Sequence, residues 1–175
     1  MNLLESSHQL GALRAVELSL FQRLGARAAS LEPAACARWA ASASLAHVWR
    51  ASLLEELLPV SVGLPGLAEL TVLPESVLVV ELNRALPDPG AGPAGPAGGV
   101  GGGEATLGDG CRLVAEITGP LYDLLLAEYA LRLGVCTEAA DGAVVRSLKR
   151  AVADLEVVRA EGAALNGRLT DPEGG

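Results

Sequence analysis

Apolar residues recur near the N-terminus at helical spacing. Leu10, Leu13, Leu20 and Leu24 lie on one stripe around "GALRAVELSLFQRLG", which predicts a helix over residues 5–29. Glu17 fills the gap in that stripe between Leu13 and Leu20. A second helix is predicted from Ser30, the candidate N-cap, with Pro33 in its first turn, to Leu58, where Pro59 stops it. Cys36, Ala40, Ala43, Leu54 and Leu58 form its apolar face, and His47 lies on that face at mid-length. The short connection makes the two helices antiparallel neighbours.

Residues 60–74, with two glycines and two prolines, read as a connector. "ESVLVVELNRAL" fits a short helix or, from Val77, Val79 and Val80, a strand; a lone strand would have no partner in this chain, which favours the helix. Residues 87–110 are rich in Gly and Pro and are expected to form a flexible crossover loop. A third helix is predicted over 110–134, closed by Gly134, with Val114, Ile117, Leu121, Leu124, Leu131 and Val135 on one seam and Glu128 as its polar member. A fourth runs from an N-cap at Thr137 to about Asn166 on Val144, Leu148, Leu155, Val158 and Leu165, and the tail beyond is expected to fray. These elements predict one all-α domain spanning residues 1–175: a ferritin-like four-helix bundle with one long crossover connection.

Composition sharpens this picture. Half of the 175 residues are apolar but only 3% are aromatic, so the core must be built from Ala, Leu and Val, which favours close-packed helices. A net charge of −8 leaves no electrostatic footprint for DNA or an anionic membrane surface. Charges interrupt every apolar run before a membrane span could form, and no secretory leader is recognisable. Cys36, Cys111 and Cys136 are widely spaced and read as reduced core residues, so a cytoplasmic protein is expected. "GGVGGGEAT" lacks the Gly-Lys-Ser/Thr ending of a phosphate loop. With two histidines and no Cys-x-x-Cys, neither a Ser-His-Asp set nor a zinc site has support.

The remaining chemistry lies on the apolar stripes. A buried carboxylate needs a cation, a metal or hydrogen-bond donors. Glu17, His47 and Glu128 are the candidate metal ligands, because di-iron bundles use one Glu on each of two helices and a Glu-x-x-His pair on each of the other two. The pairs are incomplete: Ser44 precedes His47 by three residues, and Asp154 is followed at that spacing by Val157. Glu5 and His8 have the spacing but share the first helix with Glu17. Without a metal, Glu17 would pair with Arg14 or Arg50, or reach His47, which is expected to face it across the helix interface. Trp39 and Trp49 read as packing residues, and Glu55 with Glu56 as a solvated, uncompensated acidic pair.

"LGALRAVELSLFQRLG", "RWAASASLAHVWRASLLEELLPV" and "LVAEITGPLYDLLLAEY" resemble helices of actinobacterial ferritin-like proteins related to the bacterial tRNA-(2-methylthio-N6-isopentenyladenosine) hydroxylase. The resemblance covers the first two helices best, the third loosely and the fourth by position. It implies a carboxylate in the first helix and a Glu-x-x-His in the second contributing to an O₂-activating di-iron centre. Glu17 and His47 match those positions, whereas Ser44 replaces the acid and Val157 stands where the last histidine aligns. The resemblance and its gaps together imply a bundle with a degenerate metal site and no cofactor, acting as a pseudoenzyme or partner subunit. It would form a homo- or hetero-oligomer, in the latter case with an intact ferritin-like paralogue. Two alternatives are an iron oxygenase or hydroxylase completed by ligands such as Asp123, Asp154 or Glu156, and a bundle that binds a small ligand.

Overall fold

The computed structural model describes residues 3–59, 65–88 and 107–170, and among them the chain is all-α, with no strand. The N-terminal helix, α1 (Leu3–Ala28), turns back into α2 (Ala34–Glu56). Two short helices, α3 (Leu67–Leu70) and α4 (Val77–Ala85), follow. Next comes α5 (Leu107–Glu116), which passes through a π turn (Ile117–Leu121) into α6 (Tyr122–Val135), and α7 (Glu138–Thr170) completes the described chain. The flexible crossover expected at 87–110 lies mostly outside the described residues, as do the "GGVGGGEAT" segment and the frayed tail.

The first two helices fold as their stripes dictate. Leu10, Leu13, Leu20 and Leu24 are buried, and so are Cys36, Ala40, Ala43, Leu54 and Leu58, so the leucines of α1 pack against the small-residue face of α2. The pair is antiparallel: Arg14 meets Glu55 near one end, and Ser44 donates to the Phe21 carbonyl at 2.8 Å nearer the other. Arg14 therefore belongs to Glu55, at 2.6 Å, and to Thr71, at 2.9 Å, rather than to Glu17. Glu55 is correspondingly compensated. The second helix starts later than expected, with Pro33 as its N-cap residue, while the Ser30 hydroxyl donates back to the Arg27 carbonyl.

Residues 77–85 are helical. Ser76 caps the first turn by accepting from the Val79 amide, and Leu78, Leu82 and Ala85 turn inward while Val77 and Val80 face solvent. That is a helical period, and the strand alternative, which would have put Val77 and Val79 together, is removed. α4 packs on the π turn and α6, so the architecture holds short elements beyond the long helices.

The third long helix departs most from expectation. Its seam holds through Ile117 and Leu121, but thereafter the buried residues are Tyr122, Leu125 and Tyr129, one position later than Leu124 and Glu128. The cause is the π turn. Pro120 has no amide to donate to the helical ladder, and the turn accommodates an extra residue, which shifts the phase of everything after it. Leu131 and Val135, expected inside, are 61% and 54% exposed.

α7 lies along α2 and α5–α6. Its buried residues include Leu148, Leu155, Val158 and Leu165 as expected, with Val145 rather than Val144 fully inside. The close approach at Gly162 allows this: a Cβ there would sit 2.5 Å from Thr118 Cγ2 and 2.7 Å from Trp39 Cε2. Trp39 is a packing residue as expected, and its indole N–H donates to the Val158 carbonyl at 3.2 Å. Cys36, Cys111 and Cys136 are free thiols, the first two buried in the core. Burial, with the Cys111 thiol beside it, pushes the Cys36 thiol up to about 11.

Candidate functional site

Glu17 and His47 come from the midpoints of α1 and α2, both completely buried, and they meet directly: His47 Nδ1 lies 2.6 Å from Glu17 Oε2. Arg50, one turn after His47 and also completely buried, reaches both Glu17 oxygens through Nε at 3.2 Å. Its Nη1 donates to the Asp154 carboxylate on α7, which is 34% exposed. The phase shift made by the π turn brings two phenols to the same place. Tyr129 donates to Glu17 Oε1 at 2.7 Å, and the Tyr122 hydroxyl lies 2.8 Å from His47 Nε2.

Donor and acceptor accounting fixes the protonation pattern. A 2.6 Å approach between Nδ1 and a carboxylate oxygen requires a hydrogen between them. Burial alone pushes the Glu17 carboxyl up, but Arg50, His47 and the Tyr129 hydroxyl together hold it below its ordinary value, so Glu17 is ionised. The hydrogen therefore sits on Nδ1, and Nε2 accepts from Tyr122. Arg50 Nη2, 2.7 Å from Nδ1, is then a close neighbour rather than a hydrogen-bond donor to it. Burial, reinforced by the Arg50 charge, lowers the His47 imidazole despite the opposing pull of Glu17, so the ring is neutral. The cluster thus holds one anion deep inside, one guanidinium beside it, a neutral imidazole and two neutral phenols, with Asp154 bringing a second carboxylate from the edge.

Both phenols are pushed well above the ordinary tyrosine value, chiefly by burial. They are the only tyrosines in the chain. A group whose folded value is raised contributes stability that is lost as pH climbs above its unfolded value, near 10. In a spectrophotometric titration, tyrosinate absorbance should stay absent through the ordinary tyrosine range and then rise in one step coincident with loss of helical circular dichroism. Ionisation of either tyrosine in the native state would contradict this arrangement.

The other sequence candidates lie elsewhere. Glu128 is 30% exposed and pairs with Arg132 at 3.2 Å; Tyr129 occupies the inward position expected of it. Ser44 is buried but donates its hydroxyl to the Phe21 carbonyl, and Val157 is 56% exposed, so it does not face the interior. Asp123 pairs with Arg159 at 2.5 Å, and Glu156 is exposed. His8 is on the exposed side of α1.

A di-iron group does not fit this donor set. Both Glu17 oxygens and both His47 nitrogens are taken by protein partners, and a guanidinium lies among the groups that would have to bind a metal. Among the described residues, no group of three or more His, Cys, Asp or Glu is placed to hold a metal ion. Arg50 is one of the three partners the sequence offers Glu17, whereas the two tyrosines are not visible in the helical period; "TGP" inside the third helix is the signal that its phase would change. No helix among the described residues is long and apolar enough to cross a membrane. In comparisons with family models, curated proteins and solved structures, nothing matches this chain.

Proposed function

We propose that this chain is a ferritin-like helical protein with a degenerate di-iron site, serving as a non-catalytic subunit of a homo- or hetero-oligomer. One observation carries the reading: the Arg50 guanidinium contacts Glu17 and Asp154 and approaches His47, so a side chain of the protein supplies the positive charge that a metal would bring to such acids. A fixed cation among these groups repels a second one, and losing the bond from Tyr129 or His47 to free Glu17 would leave buried polar atoms unsatisfied. The long helices α1, α2, α5–α6 and α7, with the interior carboxylate on the first and the imidazole on the second, support the ferritin-like assignment. As a partner subunit the chain would contribute shape and stability, with redox chemistry left to an intact paralogue.

Iron stoichiometry tests this reading. Protein produced under iron-replete, anaerobic conditions should carry far less than one iron per chain. About two irons per chain, the complement of a ferritin-like carboxylate site, lost on Glu17→Ala, would overturn it. About one iron lost on the same substitution would replace it with a mononuclear oxygenase reading, in which an open coordination position remains.

A further inference from the structure

Cys36 and Cys111 take no part in the buried polar cluster, yet the fold brings them together. Cys36 lies in the first turn of α2 and Cys111 in α5, and both are free and buried, at 0% and 9% exposed. α2 and α5 pack against each other, and the Cys111 thiol lies beside that of Cys36. Gly110 makes the approach possible: a Cβ there would sit 2.1 Å from the Glu32 carbonyl oxygen and 3.2 Å from Cys36 Cβ. The two sulfurs come from segments far apart in the sequence and are already neighbours in the native chain, so a bond between them needs little further ordering.

We propose that Cys36 and Cys111 form a peroxide-sensitive dithiol, which oxidation of the native chain converts into a reversible disulfide joining the start of α2 to α5. Cys111 is the outer of the two sulfurs and takes the first step, and its slight exposure limits the oxidant to a molecule as small as hydrogen peroxide. Its thiolate attacks one peroxide oxygen, the O–O bond breaks, and a sulfenic acid forms as hydroxide leaves and takes up the proton that the thiol released. The Cys36 sulfur then attacks the sulfenic sulfur; an S–S bond forms, the S–O bond breaks, and the departing hydroxide carries off the Cys36 proton as water. Two thiols thus give two electrons to one peroxide, with two waters as the other product. Burial and the Cys111 thiol push the Cys36 thiol up to about 11, which suits it to this second role rather than to first attack. Reducing thiols restore the pair by exchange.

The test is treatment of the folded, full-length chain with one equivalent of hydrogen peroxide, followed by digestion without reduction and mass spectrometry. A cross-linked peptide pair joining Cys36 to Cys111 should appear, lighter by two hydrogens than the separate peptides together. The transition temperature of the oxidised chain should rise by roughly 5–10 °C, as for a disulfide that closes a long loop in a domain of this size. Dithiothreitol should reverse both changes. Cys111→Ala should abolish the cross-link, whereas Cys136→Ala, at the junction of α6 and α7, should leave it intact. Mapping of the wild type decides the matter if Cys111→Ala does not fold. Oxidation of Cys136 with Cys36 and Cys111 left as thiols, a cross-link through Cys136, a lowered transition temperature, or a Cys36–Cys111 bond that forms only in denaturant would each overturn the assignment.

Discussion

Replacing Arg50 with methionine is expected to cost about 3–5 kcal/mol of folding stability, the usual effect of breaking a buried ion pair from one side. Arg50 is completely buried, and its guanidinium serves Glu17 and Asp154 together. Methionine fills much of the same volume, so the loss is electrostatic: Glu17 is left as an anion with two hydrogen-bond donors and no countercharge. Arg50→Lys should recover little, because a single ammonium cannot span the same acceptors as a planar fork. Urea denaturation of Arg50→Met, Glu17→Leu and the double variant should be strongly non-additive, the double costing less than the two singles combined. A loss below about 1 kcal/mol in Arg50→Met, the range of exposed pairs, would mean that the guanidinium is not the counterion of the buried acid.

The second large effect is expected at Tyr129. Its hydroxyl donates to an ionised, completely buried carboxylate at 2.7 Å, and hydrogen bonds to charged groups contribute about 1.5–3 kcal/mol. Tyr129→Phe keeps the ring and removes only that bond, so it should cost an amount in this range at neutral pH. The cost should shrink in acid. Because the folded value of Glu17 is depressed, its stabilisation is present above its unfolded value, near 4.5, and is lost as pH falls through the folded value. His47 acts in the same direction: buried neutral, with its folded value below 6.5, it favours the unfolded chain increasingly as pH drops beneath 6.5. Stability of the wild type should therefore decline from about pH 6.5 downward and more steeply below about 4.5, with Tyr129→Phe converging on it at the acid end. A Tyr129→Phe deficit that stayed constant down to acid unfolding would detach the hydroxyl from the ionised state of Glu17.

Both effects arise where a helical period either continues or breaks, and that decides how much of the molecule its sequence reveals. α1 and α2 are uninterrupted helices, so their stripes extrapolate over many turns, and the meeting of Glu17 with His47 comes from two phases and one short connection. The all-α character is legible for the same reason, from helical periods joined by Gly- and Pro-rich breaks. Extrapolation fails across Gly119–Pro120. A π turn there displaces the inward face by one residue, so Glu128 gives way to Tyr129 and Leu124 to Leu125. Periodicity read from one end of a helix says nothing about a phase change in its middle; the proline is the warning. Asp154 is harder still, because its pairing depends on how α7 lies against α2, and that is set by a tertiary contact at Gly162 rather than by a local pattern.

Arg50 supplies the positive charge for the buried acids while His47 remains neutral, and the most direct test is nitrogen NMR of the His47 imidazole at neutral pH. The chain has only two histidines, and His8 lies on the exposed side of α1, so the signals of the buried ring are readily told apart. His47 should show one protonated nitrogen, Nδ1, and one bare nitrogen, Nε2, at neutral pH. A His47 ring protonated on both nitrogens at neutral pH, or one carrying its hydrogen on Nε2, would contradict the account.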